Sequence, residues 1–269
     1  MVDTDLFKFA FCRRKNMDFV DYIKELANKI SSENWGTDFK ILKNYINFTF
    51  EKLAIDYNKA MEVEKWKYIS MREEDCCFNT GLFNDYYEPI YAYFKKNLYA
   101  DNTTYIAKPS PWFLVGFKTP SDYELNNFET LPHRAQFFSD ASELVYDYRL
   151  EIRAQVQHIL GDPENLSRLP ESYREMKKPI LVQMFKGAIE TAEKRVASNY
   201  KLAVPQYYKK SLQLLIPLNL EEDTKADLAL VLRREGNIYT ARTCLTLDMA
   251  YNNARLIVKP ESEWLQISN

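Results

Sequence analysis

Glycine is scarce in this chain, at 6 of 269 residues against roughly 7% in ordinary proteins. The glycines stand singly at Gly36, Gly81, Gly116, Gly161, Gly187 and Gly236. Dinucleotide-binding fingerprints and P-loops need clustered glycines where backbone approaches phosphate, so both are excluded. Histidine is limited to His133 and His158, and the cysteines Cys12, Cys76, Cys77 and Cys244 follow neither a zinc spacing nor a disulfide framework. No zinc motif is present, and the His-Glu-x-x-His and Gly-x-Ser-x-Gly signatures are missing. No apolar run approaches the ~18 residues that a membrane span requires. The apolar stretch Phe7 to Phe11 precedes the basic Arg13-Arg14-Lys15, the reverse of a signal peptide. These features predict a cytoplasmic protein with reduced thiols and no membrane partner. Neither sign of charge dominates, since 36 Lys and Arg face 38 Asp and Glu for a net charge of −2. Polyanion binding by bulk charge is thereby excluded, which leaves a local basic pocket as the only electrostatic route to nucleic acid.

What the chain does have is hydrophobic content of 46%, with 19 Tyr, 16 Phe and 4 Trp, enough to fill a substantial core. Phe19, Tyr22, Ile23, Leu26, Ala27 and Ile30 recur at helical spacing, so a helix is predicted from Asp18 to Ile30. A second helix carries Ile41, Leu42, Tyr45, Ile46, Thr49 and Leu53, with Thr37 or Asp38 as its cap. Strands are predicted at Trp66 to Met71, Cys76 to Leu82, Pro89 to Phe94 and Trp112 to Phe117. Alternation over Val145 to Arg153 predicts a half-buried strand. Pro179 opens a five-turn helix through Tyr200, and Asn199 to Lys210 is read as the connection that follows. Three antiparallel strands then occupy Leu212 to Leu220, Ala226 to Leu232 and Ile238 to Leu245, before a closing helix from about Asp248 to Val258. The predicted class is α+β, with a helical N-terminal layer packed on a mixed, largely antiparallel sheet. Residues 1–34 read as a helical extension and 35–269 as a single domain.

Polar constellations suited to phosphate are spread along the chain. Asp248, Asn252 and Arg255 fall at i, i+4 and i+7 of the closing helix, with Asn253 a quarter-turn away. A phosphate at that helix N-terminus would lie under Arg255, although Asp248 as a cap would compete for the same N–H donors. Lys201, Gln206 and Tyr207 interleave a cation, an amide and a stacking ring. His158 is followed by Asp162, Asn165 and Arg168, a set that could perform acid–base work on a phosphate ester. Arg134 stands beside His133, and Asn79 and Thr80 precede Gly81 in a turn-like stretch.

Several of these stretches together resemble a bacterial family known as domain of unknown function 3825. The resemblance runs through Phe78-Asn79-Thr80-Gly81-Leu82, Leu131-Pro132, His158-Ile159-Leu160 with Asn165 and Arg168, Asn199-Tyr200-Lys201 with Pro205-Gln206-Tyr207-Tyr208, and the long Leu245 to Ile257 segment, and it spans roughly residues 35 to 267, leaving the first helix outside. By analogy with some relatives that are joined to RNA-binding modules, the resemblance implies RNA or nucleotide work.

The resulting expectation is an RNA- or nucleotide-binding protein with a local Arg, Lys, Asn and Tyr pocket. Arg134, Arg168, Lys201 and Arg255 would bind phosphate, while Asn79, Thr80, Asn253 and Gln206 orient the ligand and Tyr207 stacks. His158 and Asp248 are the acid–base candidates should the protein be a nuclease, a phosphoesterase or a nucleotide-processing enzyme. The alternative is a non-enzymatic interaction or homo-oligomerisation module with an aromatic-rich surface. A divalent-metal hydrolase using Asp147, Glu151, Asp227 or Asp248 ranks last, because no spaced carboxylate motif stands behind Mg²⁺.

Overall fold

Helix starts in the N-terminal segment are set by carboxylates. Asp18 accepts from Val20 N at 2.8 Å while Asp21 accepts from Asp18 N at 2.9 Å, a reciprocal box that satisfies free N–H groups at the helix entry. The computed structural model describes residues 1–13, 17–98 and 110–267, so Arg14 and Lys15 of the basic run lie outside the described residues. The chain divides into two compact units, Met1–Gln136 and Phe137–Asn269.

The first unit contains α1 (Leu6–Phe9), β1 (Ala10–Phe11), α2 (Phe19–Ala27), α3 (Lys40–Lys59), β2 (Ser70–Met71), β3 (Asp75–Phe83), β4 (Pro89–Lys96) and β5 (Trp112–Lys118). Its sheet has the order β1-β5-β4-β3-β2, antiparallel except for the parallel β1–β5 pair. Residues 1–34, expected as an extension, are built into this unit. β1 adds a strand to β5, and Tyr22 of α2 donates its hydroxyl to Leu114 O at 2.8 Å. One sheet face meets the helices through Phe9, Phe50, Phe78 and Phe94, whose ring centroids lie 4.8 to 5.8 Å apart. Cys77, Tyr91 and Tyr93 form a second cluster with Leu125 and Phe128.

Three local expectations need correction here. Neither Thr37 nor Asp38 caps α3. Thr37–Phe39 form a 3-10 turn in which Asp38 and Phe39 are left-handed, at φ 53° and 54°, and no side chain caps the helix. The expected strand from Trp66 shrinks to Ser70–Met71, because Glu62–Lys67 is wound into a 3-10 helix. Two i,i+3 ion pairs support that winding, Lys65 to Glu62 at 2.5 Å and Lys67 to Glu64 at 2.6 Å. The first long helix ends at Ala27 instead of Ile30.

The second unit contains β6 (Glu151–Ala154), α4 (Val156–Gly161), α5 (Pro163–Arg168), α6 (Glu171–Arg174), α7 (Lys178–Ser198), β7 (Val204–Tyr208), β8 (Ser211–Leu218), β9 (Leu228–Glu235), β10 (Ile238–Ala241), β11 (Cys244–Leu245) and α8 (Leu247–Ala254). Its sheet runs β6-β10-β9-β8-β7, with β11 also pairing to β9. The expected β8-β9-β10 meander is present and antiparallel. α7 lays Leu181, Phe185, Ile189, Ala192 and Val196 on a core shared with Leu214, Ile216, Leu230 and Leu232 of the sheet. Met184 and Tyr200 are exposed. The helices and two mixed sheets make the protein α+β.

Four readings are corrected in this unit. The alternating segment from Val145 becomes a strand only at Glu151, since Asp147 and Arg149 close a turn upstream with Leu150 N donating to Asp147 O at 3.1 Å. Residues 204 to 208, read as connection, form β7 and pair with β8. The last strand breaks after Ala241, where Thr243 turns its hydroxyl to Asn165 Oδ1 at 2.6 Å. α8 starts at Leu247 and is capped by Thr246, not by Asp248, and it stops at Ala254, short of Val258.

Candidate functional site

The second unit holds a cleft of about 990 Å³. Its floor is the end of α7, the 3-10 turn Tyr200–Leu202 and the first residues of β7. One wall is residues 224–226 before β9, and another is the segment 258–267 after α8. Local hydrogen bonds fix these pieces. Asn199 Oδ1 accepts from Lys201 N at 3.2 Å, which starts the turn. The indole N–H of Trp264 donates to Leu202 O at 2.9 Å, and Ser262 Oγ reaches Lys201 O at 3.5 Å. Leu265 is fully buried and anchors the wall.

Charge in the cleft is predominantly positive. Arg195, Lys201, Lys225 and Lys259 line it, against Glu261 and Glu263. Arg195 is already engaged, donating to Asn219 Oδ1 at 2.7 Å and Asp223 O at 3.1 Å. Lys201, Lys225 and Lys259 are exposed and form no ion pair among the described residues. Three exposed ammonium groups and one indole fixed by its hydrogen bond to Leu202 O suit an anion attached to a flat ring.

Of the residues selected from sequence, only Lys201 lines this cleft. Gln206 and Asn253 do meet, but within the protein: Gln206 is completely buried, its Oε1 accepts from Asn253 Nδ2 at 3.1 Å and its Nε2 donates to Gln213 Oε1 at 2.8 Å. Tyr207 sits edge-on to Phe137 with centroids 4.9 Å apart. Arg168 donates to Asn165 Oδ1 at 3.0 Å, Thr243 Oγ1 at 3.3 Å and Cys244 O at 2.6 Å, and it also pairs with Glu164. Its guanidinium therefore ties α5 to β11. Asp162 caps α5 by accepting from Glu164 N at 2.8 Å, while His158 stands exposed on the six-residue α4. Asp248 is exposed in the first turn of α8, and Arg255 is half-buried at its C-cap.

In the first unit, Asn79 and Thr80 complete an irregularity of β3. Asn79 Oδ1 accepts from Gly81 N at 2.8 Å and its Nδ2 donates to Pro132 O at 3.3 Å. Thr80 Oγ1 donates to Ile90 O at 2.6 Å and accepts from Leu82 N at 3.2 Å. Arg134 is exposed.

Three of the four carboxylates considered for metal are engaged one by one. Asp147 holds Arg149 through two 2.8 Å contacts, which pull its carboxyl down to about 2. Glu151 pairs with Arg153 at 2.9 Å, and Asp227 Oδ2 accepts from Leu220 N at 2.7 Å. Among the described residues, no group of three or more His, Cys, Asp or Glu side chains is placed to hold a metal ion. Nor is any helix of the described residues long and apolar enough to cross a membrane. Burial pushes the Cys12 thiol up to about 12 and Cys244 to about 11, the latter opposed by the Arg168 charge.

Comparison with known families turns on one match, in which the family model described as Domain of unknown function (DUF3825) covers residues 26–264. The chain belongs to this family. No curated protein and no solved structure matches it. The DUF3825 match takes in the cleft lining from Arg195 through Trp264, and Gln266 and Ile267 lie beyond it. Sequence reasoning missed Lys225, Lys259 and Trp264. They stand in separate stretches of sequence, and only the placement of residues 224–226 and of the 258–267 segment beside the turn after α7 brings them to Lys201.

Proposed function

We propose that this DUF3825 protein binds a phosphate-bearing nucleobase ligand, RNA or a nucleotide, in the cleft of its second unit. The observation that carries the reading is the set Lys201, Lys225 and Lys259, three exposed cations without ion-pair partners among the described residues, converging with the Trp264 ring on one cavity. The lysines supply phosphate contacts and the indole supplies a stacking surface. Arg195, oriented by Asn219, adds positive potential to the floor. Three lysines and one arginine against two glutamates give the lining a net positive charge that suits holding an anion. Accordingly, Arg168, Gln206 and Asn253 act in this account as structural supports, and His158 and Asp248 carry no role at the cleft.

The test is a titration of the full chain with a labelled uridine oligonucleotide and with a mononucleotide, read by anisotropy and by tryptophan fluorescence. Wild type should bind with quenching that disappears in Trp264→Phe. The Lys201→Ala/Lys225→Ala/Lys259→Ala variant should bind about tenfold or more weakly, as loss of three phosphate contacts requires. Equal binding by the folded triple variant would sink the reading.

A further inference from the structure

The hairpin between β3 and β4 carries Tyr86 and Tyr87 at its tip, 85% and 86% exposed, and Tyr123 after β5 is 74% exposed. Single exposed aromatics are ordinary, but these rings stand on a fixed frame. Asn84 Oδ1 accepts from both Tyr86 N and Glu88 N at 2.9 Å, and its Nδ2 donates to Glu88 Oε2 at 2.9 Å. Tyr87 is held at φ 62°, a left-handed conformation that side chains with a Cβ disfavour. Ser121 Oγ donates to Glu88 Oε1 at 2.5 Å, which draws the loop of Tyr123 against the hairpin. Rings displayed on such a frame lose little freedom when they are covered.

The charge around the rings is mainly negative, with Lys95 a cation that acts on Glu124 beside Tyr123. Asp85 and Glu88 have no cation within ion-pair reach among the described residues. Asp122 adds its charge next to Glu88, and Lys118 is occupied by Glu124 at 2.6 Å and Asp122 at 3.9 Å. Aromatic faces are the negative side of the ring quadrupole, so rings and carboxylates select the same sign of ligand. Nucleic acid and anionic lipid are repelled by it. Tyr86 and Tyr87 are open to solvent, so a small cation would stay hydrated against them. A chain presenting several cations in sequence matches the surface.

We propose that Tyr86, Tyr87 and Tyr123, edged by Asp85 and Glu88, form a docking surface for an arginine- and lysine-rich polypeptide segment. Cationic heads lie on the tyrosine faces and their stems cover the rings. This surface belongs to the first unit and acts independently of the lysine cleft.

The experiment measures anisotropy of a labelled Arg-Gly repeat peptide with the full chain, against the same peptide carrying neutral citrulline for arginine. The arginine peptide should bind and the citrulline peptide should not. Tyr86→Leu/Tyr87→Leu, which keeps the net charge, should weaken binding about tenfold, as should Tyr123→Leu in lesser degree. Tyr86→Phe/Tyr87→Phe should stay within about twofold, since the ring faces remain. Should the double leucine variant fail to fold, Tyr123→Leu and the phenylalanine variant decide. Wild-type affinity in folded leucine variants, or equal binding of the citrulline peptide, overturns the proposal. Self-association of the wild type in sedimentation that the leucine variants abolish would assign the surface to a second copy and overturn it too.

Discussion

Asn253 of α8 donates its side-chain amide to Gln206 of β7 at 3.1 Å, and Gln206 passes the chain on to Gln213 of β8 at 2.8 Å. Three amides from three elements thus satisfy one another around a completely buried Gln206. Burying such groups costs stability when a partner is missing.

Gln206→Leu strands the Asn253 and Gln213 amides and is expected to destabilise the fold by about 1–3 kcal/mol. Urea denaturation measures it. Adding Asn253→Ala should cost less than the sum of the two single changes, because both remove the same bond.

Sequence reasoning reached the polar residues of this network but not their use. From sequence, Asn253 and Gln206 read as ligand-orienting groups, because an Asn or Gln beside tyrosines reads alike whether it faces a ligand or another amide. Only the strand Val204–Tyr208, masked in the sequence by Pro205 and by the lysines that follow, places Gln206 inward. Arg168 shows the same limit: its partner Cys244 O is a backbone atom 76 positions away and leaves no mark on sequence. By contrast, α2, α3 and α7 and the β8-β9-β10 meander were legible, because periodic burial is written directly in residue spacing. The cleft was not legible, since its lysines come from three separate stretches.

Arg168→Met keeps the aliphatic stem and removes the three contacts to Asn165, Thr243 and Cys244 O. A loss of about 2–3 kcal/mol is expected in chemical denaturation, with Arg168→Lys recovering only part because an ammonium cannot copy the planar fork.

Gly81 sits at φ 76°, and a Cβ there would lie 2.8 Å from the Tyr45 hydroxyl. Gly81→Ala should lower stability by about 1–3 kcal/mol. Combining it with Tyr45→Phe should return part of that loss in thermal melts, since the obstructing oxygen is gone while the backbone strain stays.

Burial raises the Cys12 thiol from 9.0 to about 12 and Cys244 to about 11. A raised folded value favours the protonated thiol, so its stabilising contribution is complete below pH 9 and is lost as pH climbs toward 11 to 12. The folded protein should resist thiol reagents at pH 8, react once denatured, and lose melting temperature progressively above pH 9. Rapid labelling of all four thiols in the folded state would contradict the burial seen here.

The lysine cleft is tested most directly by the salt dependence of oligonucleotide binding. If Lys201, Lys225 and Lys259 each neutralise one phosphate, log K against log salt should fall with a slope of about −2, and Lys201→Ala should flatten it by about 0.7. A slope unchanged in Lys201→Ala would mean that phosphates do not enter this cleft.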